Sequence, residues 1–217
     1  MSYAAYVFDA YGTLFDVHAA VRRHAGDVGP QGQLFSDLWR AKQLEYSWTR
    51  SLMGAYQDFW QLTEQALDYA FRRFPDVNPA LRERLLESYW KLDCYAEVPM
   101  VLRNLKAGGA KIAILSNGSP AMLQSAVKNS ALETIVDDIF SVDALKTFKT
   151  SPETYDLVTT NYRLYPDAVS FQSSNRWDVA GATKFGFRTV WINRNGLPDE
   201  YSDLGPSMIL PTLNGLE

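Results

Sequence analysis

Residues 6–16 read YVFDAYGTLFD, and the reading of this stretch decides the fold. Tyr6, Val7 and Phe8 favour extended backbone and stop at a carboxylate, Asp9, after which Gly12 and Thr13 turn the chain. A buried parallel strand that delivers an acid at its carboxyl end places that acid where open α/β sheets do their chemistry. Taken alone, an aspartate after a strand is as readily a helix cap or a turn residue. The other strand ends decide between the two.

Downstream of Asp16 the pattern turns helical and stays so to about Tyr95. Leu34, Phe35, Leu38, Trp39 and Ala41 recur at helical spacing, with Ser36 and Asp37 near the start. Aromatic residues from Tyr46 to Phe74 follow at mostly three- or four-residue steps, which reads as a helical core with a minority free to face a pocket. The run Pro75-Asp76-Val77-Asn78-Pro79 is a loop, and Leu81, Leu85, Leu86, Tyr89 and Trp90 mark a further amphipathic helix. A strand, a long helical stretch and then renewed strands predict an inserted cap over 16–95, on a core formed by 1–15 and 96–217.

From Pro99 the α/β rhythm returns, with a helix through Val101, Leu102 and Leu105, a Gly108-Gly109 turn and a strand over 111–115 that ends in Ser116-Asn117-Gly118. Ser119-Pro120 reads as a cap and first turn, and Ser151-Pro152, just after Lys149, reads the same way. Strands are expected over 139–142, 169–172 and 189–192, with a helix through Tyr155, Val158 and Tyr162 and another closed by Gly186. The strand over 169–172 runs out into the polar residues 173–178. Right-handed crossovers bring Asp9, Asn117, Lys149 and Asp178 to one edge of a Rossmann-like parallel sheet. One polar residue at a strand end proves little. An acid, an amide, a lysine and a second acid at four of them make a site.

Composition limits what such a site serves. The chain has 217 residues, 47% hydrophobic and 21% charged, which suits one α/β domain with an insertion or two small domains. Apolar runs are too short to cross a bilayer, and a net charge of −4 argues against nucleic acid as a partner. The amino terminus lacks the pattern of a signal peptide and the only cysteine, Cys94, has no partner in the chain, so a cytoplasmic protein is expected.

FDAYGTLFD (8–16), ILSNGS (114–119), the lysine of TFKTSPETY (147–155) and FQSSNRWDVAGATKFGF (171–187) resemble the haloacid dehalogenase superfamily, and within it the (S)-2-haloacid dehalogenases. The likeness extends into the cap through LWRAKQLEYSWTRSLMG (38–54). It implies a cofactor-free hydrolase in which the Asp9 carboxylate displaces halide from a short 2-haloacid, with inversion, and the resulting ester is hydrolysed by water. Carried over residue by residue, Asp178 handles that water and Lys149 stabilises the developing charge, with Tyr155 as the partner of Lys149. Thr13, Ser173 and Asn175 hold the two aspartates. Arg40, Asn117 and the Trp177 edge receive the halide, and Ser116 with the Ala10 and Tyr11 amides receives the substrate carboxylate. The family's Lys-Pro is here Lys149-Thr150, with proline displaced to Pro152. Related enzymes are commonly dimers, and the aromatic cap suits a homodimer.

The main rival is a magnesium-dependent phosphatase of the same superfamily. Such enzymes carry a second aspartate two positions after the nucleophile, where Tyr11 stands, and an acidic pair in the last motif, the first position of which is here Ser173 or Ser174. Without those acids a hard cation has too few oxygen ligands, so no metal is expected. A non-catalytic member that keeps the fold as a binding module is disfavoured by the joint retention of Asp9, Lys149 and Asp178. No G-x-S-x-G elbow, dinucleotide fingerprint or phosphate loop is present, and His18 and His24 have no evident triad partners.

Overall fold

The computed structural model describes residues 3–216. Six strands among them, β1 (Ala5–Phe8), β2 (Lys111–Ser116), β3 (Asp138–Ser141), β4 (Val169–Ser173), β5 (Arg188–Ile192) and β6 (Met208–Leu210), form one sheet. Its order is β3-β2-β1-β4-β5-β6, and every neighbouring pair is parallel. β1 lies in the middle, with Phe8 opposite Ile114 of β2 on one side and Gln172 of β4 on the other. The chain leaves β1 toward one flank of the sheet and later fills the other. Asp9 therefore follows β1 at the switch point, where diverging loops open a crevice.

Among the described residues nine α-helices surround the sheet or stand above it: α1 (Ala19–Arg22), α2 (Ala25–Val28), α3 (Gly32–Met53), α4 (Phe59–Arg73), α5 (Arg82–Trp90), α6 (Val98–Ala107), α7 (Pro120–Asn129), α8 (Pro152–Tyr162) and α9 (Arg176–Phe185). The first five form the helical insert between β1 and β2. α3 buries Phe35, Ser36, Trp39, Gln43 and Ser47 along one stripe, and stops where Gly54 takes a left-handed conformation. Asp58 caps α4 by accepting from the amides of Trp60 and Gln61, a cap worth about 1 kcal/mol. The Trp39 indole donates to the Thr63 carbonyl at 2.9 Å and locks α3 onto α4. Two linkers join insert to core and pair with each other: Tyr95 N donates to Leu14 O and Asp16 N to Asp93 O, both at 3.0 Å.

Several boundaries differ from those expected. Val142 opens a 3-10 turn over Val142–Leu145 instead of closing β3. Ser119 and Ser151 precede α7 and α8, but neither side chain makes a capping hydrogen bond; a proline in each first turn does the work of starting the helix. α9 begins at Arg176, so Asp178 sits in its first turn and not in the polar loop before it. β6 lacked any sequence signal strong enough to predict it.

Candidate active site

Asp9 is 5% exposed at the tip of β1. The turn that follows is tied to one atom, the Ala10 carbonyl, which accepts from the amides of Thr13, Leu14 and Phe15 at 3.2, 2.9 and 3.0 Å. Gly12 has φ +91°, a left-handed conformation that other residues adopt only with strain. This curl lets Thr13 point back, so that its hydroxyl donates to Asp9 Oδ2 at 3.0 Å. Asn175 Nδ2 donates to the same oxygen at 2.8 Å and to the Tyr11 carbonyl at 3.1 Å. Asn175 occupies the cap position of α9, yet its side chain caps nothing there because it is engaged with Asp9.

Asp9 Oδ1 faces Lys149. The Lys149 ammonium lies 3.1 Å from that oxygen and 2.9 Å from Asp178 Oδ2, with its side chain fully buried. Its backbone is placed by Asn117, whose Oδ1 accepts from Lys149 N at 2.9 Å. Burial disfavours the ammonium, but the carboxylates of Asp178 and Asp9 outweigh it and hold the Lys149 pKa above the ordinary lysine value. For Asp178 the balance falls the other way. Complete burial pushes its pKa up from 3.8 to about 6, with Lys149 opposing the shift and Asp9 adding to it.

Tyr155 does not touch the Lys149 side chain. Its hydroxyl donates to Asp178 Oδ1 at 2.9 Å, so it reaches the lysine only through that aspartate. The hydroxyl fits because residue 181 is glycine: a Cβ there would stand 2.5 Å from it. Ser173 likewise touches neither aspartate. Its hydroxyl accepts from Asn175 N at 3.1 Å and acts on Asp9 at one remove.

Near this pair several donors are left without a partner. Among the described residues, the Ala10 and Tyr11 amides and Asn117 Nδ2 make no hydrogen bond. Ser116 Oγ accepts from Gly118 N at 3.1 Å and keeps its own proton to give. Arg40 crosses from α3, donating from Nη2 to the Tyr11 carbonyl at 3.1 Å and from Nη1 to Gln43 Oε1 at 2.7 Å. Each Nη retains a second proton. Half-buried Trp177 meets Trp48 edge to face at 5.3 Å, and both line a cavity of about 490 Å³ together with Lys149 and Phe148.

Tyr11 is buried and stacked on Tyr89 with centroids 5.8 Å apart, and burial raises its phenol well above the usual pKa. It is a neutral aromatic wall where a second carboxylate would be needed to bind a cation. Among the described residues no group of three His, Cys, Asp or Glu side chains gathers as a metal site.

Sequence reasoning missed Arg194, whose guanidinium donates to the Thr13 carbonyl at 2.9 Å. A main-chain target leaves no complementary residue to notice.

The chain matches the family model of haloacid dehalogenase-like hydrolases over residues 3–186. It is 49% identical over 201 residues to (S)-2-haloacid dehalogenase 4A of Burkholderia cepacia, covering 92% of this chain and 87% of that protein. A crystal structure of a dehalogenase with an intermediate complex superposes with a TM-score of 0.96 at 46% identity, over 99% of this chain and 96% of the other. The L-2-haloacid dehalogenase of Xanthobacter autotrophicus with chloropropionic acid covalently bound superposes with a TM-score of 0.87 at 34% identity, over 99% and 96%.

Proposed function

The chain belongs to the haloacid dehalogenase-like hydrolases, within the family of the (S)-2-haloacid dehalogenases, and from that premise we propose that it converts short (S)-2-haloacids and water to (R)-2-hydroxyacids and halide. The observation that carries the residue roles is the Lys149 ammonium shared by the carboxylates of Asp9 and Asp178. One acid is held by Thr13, Asn175 and Lys149, and the other is pushed toward the pKa of a general base.

In the first step an Asp9 oxygen attacks C2 from the side opposite the halogen, forming a C–O bond as the C–X bond breaks and inverting the centre. The carboxylate needs no proton removed before it reacts. The substrate carboxylate is received by Ser116 and the amides of Ala10 and Tyr11. The departing halide is received by the remaining protons of Arg40, by Asn117 Nδ2 and by the Trp177 edge. In the second step water adds to the ester carbonyl carbon of Asp9 while Asp178 accepts its proton, and Lys149 steadies the oxyanion. The acyl C–O bond then breaks as the proton held by Asp178 passes to the departing oxygen, so the hydroxyacid leaves with an Asp9 oxygen and water's oxygen stays on the enzyme.

A divalent cation does not fit this arrangement, because the Lys149 ammonium already sits between the carboxylates and Tyr11 supplies no ligand. Metal independence is therefore part of the reading. So is cytoplasmic action, supported by the unpaired Cys94. Homodimerisation is supported by Leu34, Leu52 and Met53 of α3, which are 62, 87 and 67% exposed; light scattering tests it. The decisive experiment sets chloride release from (S)-2-chloropropionate, with chiral analysis of the lactate, beside phosphate release from a phosphoester with Mg²⁺. Phosphate release without halide release would return the chain to the phosphatases.

A further inference from the structure

One side chain from outside the linkers grips both of them. Arg194, in the loop after β5, donates from Nη2 to the Thr13 carbonyl at 2.9 Å and pairs through Nη1 with Glu97 at 2.6 Å. The face of its guanidinium lies 3.7 Å from the centre of the Tyr95 ring. Thr13 belongs to the turn that leads out of β1, whereas Tyr95 and Glu97 belong to the returning chain at the start of α6. Arg194 and Glu97 are nearly buried, with side chains 12 and 13% exposed, so the ion pair is not a solvated surface contact. Bonding a carbonyl, pairing with a carboxylate and stacking on a ring at once requires a planar fork, which lysine lacks.

We propose that Arg194 is a positioning residue for the nucleophile, acting through Thr13. The threonine is held at its carbonyl by Arg194, and its hydroxyl accepts from Ser174 N at 2.8 Å while donating to Asp9 Oδ2 at 3.0 Å. Among the described residues the Thr13 carbonyl has no other hydrogen-bond donor. Without Arg194 that peptide unit is anchored on one side only, and the hydroxyl that fixes the rotation of the Asp9 carboxylate moves with it. Displacement collisions on a line with C2 are unforgiving, and misplacement by about 1 Å costs on the order of 10²-fold in rate.

The inference rests on Asp9 being the attacking group, and the test separates the two. Chloride release from (S)-2-chloropropionate is followed in a single turnover with enzyme in excess, for wild type, Arg194→Met and Arg194→Lys, beside thermal melting. The expected result is a rate constant lowered about ten- to hundredfold at full amplitude, in both variants, with the substrate concentration for half-maximal rate little changed. Adding Thr13→Val to either variant lowers the rate no further, because both changes cut the same link. Arg194→Lys keeps a charge beside Glu97, and it serves where Arg194→Met fails to fold. A loss of amplitude or melting temperature at an unchanged rate constant would make Arg194 a structural bolt and overturn the proposal. So would independent, multiplying effects of the two substitutions. No chloride from the wild-type enzyme would overturn the dehalogenase reading itself, and the proposal with it.

Discussion

The Tyr155 hydroxyl donates to Asp178 Oδ1 at 2.9 Å while the Lys149 ammonium takes Oδ2 at the same distance, so both oxygens of a fully buried carboxylate are held by donors. Two donors favour the charged form, yet burial prevails and leaves the Asp178 pKa at about 6. Below that pH Asp178 carries a proton and cannot accept one from water. Turnover limited by the ester-hydrolysis step is therefore lost as pH falls through about 6 and is full above it. Tyr155→Phe removes a donor that stabilises the anion, so the acid limb of the kcat profile moves upward, by up to about one pH unit. A limb that stays in place or moves down would separate Tyr155 from the titration of this cluster.

Asp9→Asn is expected to abolish multiple turnover, with a loss of at least ~10³-fold, since a neutral amide is a far poorer nucleophile. Steady-state chloride release measures it. The substitution also places an NH₂ or a weaker acceptor against Asn175 Nδ2 and the Thr13 hydroxyl, so the folded fraction is checked alongside. Near-normal turnover in folded protein would remove Asp9 from the mechanism.

Much of this arrangement was legible in the chain because strand ends announce themselves: β-favouring residues stop at Asp9, at Asn117 and at the polar run after Gln172, and a parallel sheet must gather those ends. What the chain could not state is which side chain reaches which. The sequence pairs Tyr155 with Lys149, whereas the room left by Gly181 sends its hydroxyl to Asp178. Ser173 lies beside the site in sequence but bonds a main-chain amide. The polar run over 173–178 reads as a loop, although Asn175 stands at the cap of α9 and the helix already starts at Arg176. Arg194 left no trace, since its partner in the site is a carbonyl and every residue has one.

Removal of divalent metal should leave the rate unchanged. The ammonium between Asp9 and Asp178 does the charge compensation that a cation provides in a carboxylate-rich site, and the phenol of Tyr11 stays protonated at any ordinary pH. The check is chloride release in chelator, before and after Mg²⁺ is added back. Activity lost in chelator and restored by Mg²⁺ would sink metal independence and reopen the phosphatase reading.

Two carboxylates on one ammonium could exchange roles, and the origin of the product's oxygen tells them apart. If Asp9 attacks carbon and Asp178 handles water, the hydroxyl of the product comes from Asp9 in the first turnover. With enzyme in excess in ¹⁸O-water, the hydroxyacid should be mostly unlabelled, and the label should appear in the peptide that contains Asp9. Attack by water directly on C2 would label the product and leave the peptide light. Asp178→Asn separates the steps further. Loss of the proton acceptor slows ester hydrolysis by about 10²- to 10⁴-fold, whereas ester formation needs no proton transfer and keeps Lys149, Thr13 and Asn175 around Asp9. An adduct on Asp9 should then accumulate and be visible by mass. Labelled product in the first turnover, or an adduct on residue 178 of the wild-type chain, would reverse the assignment.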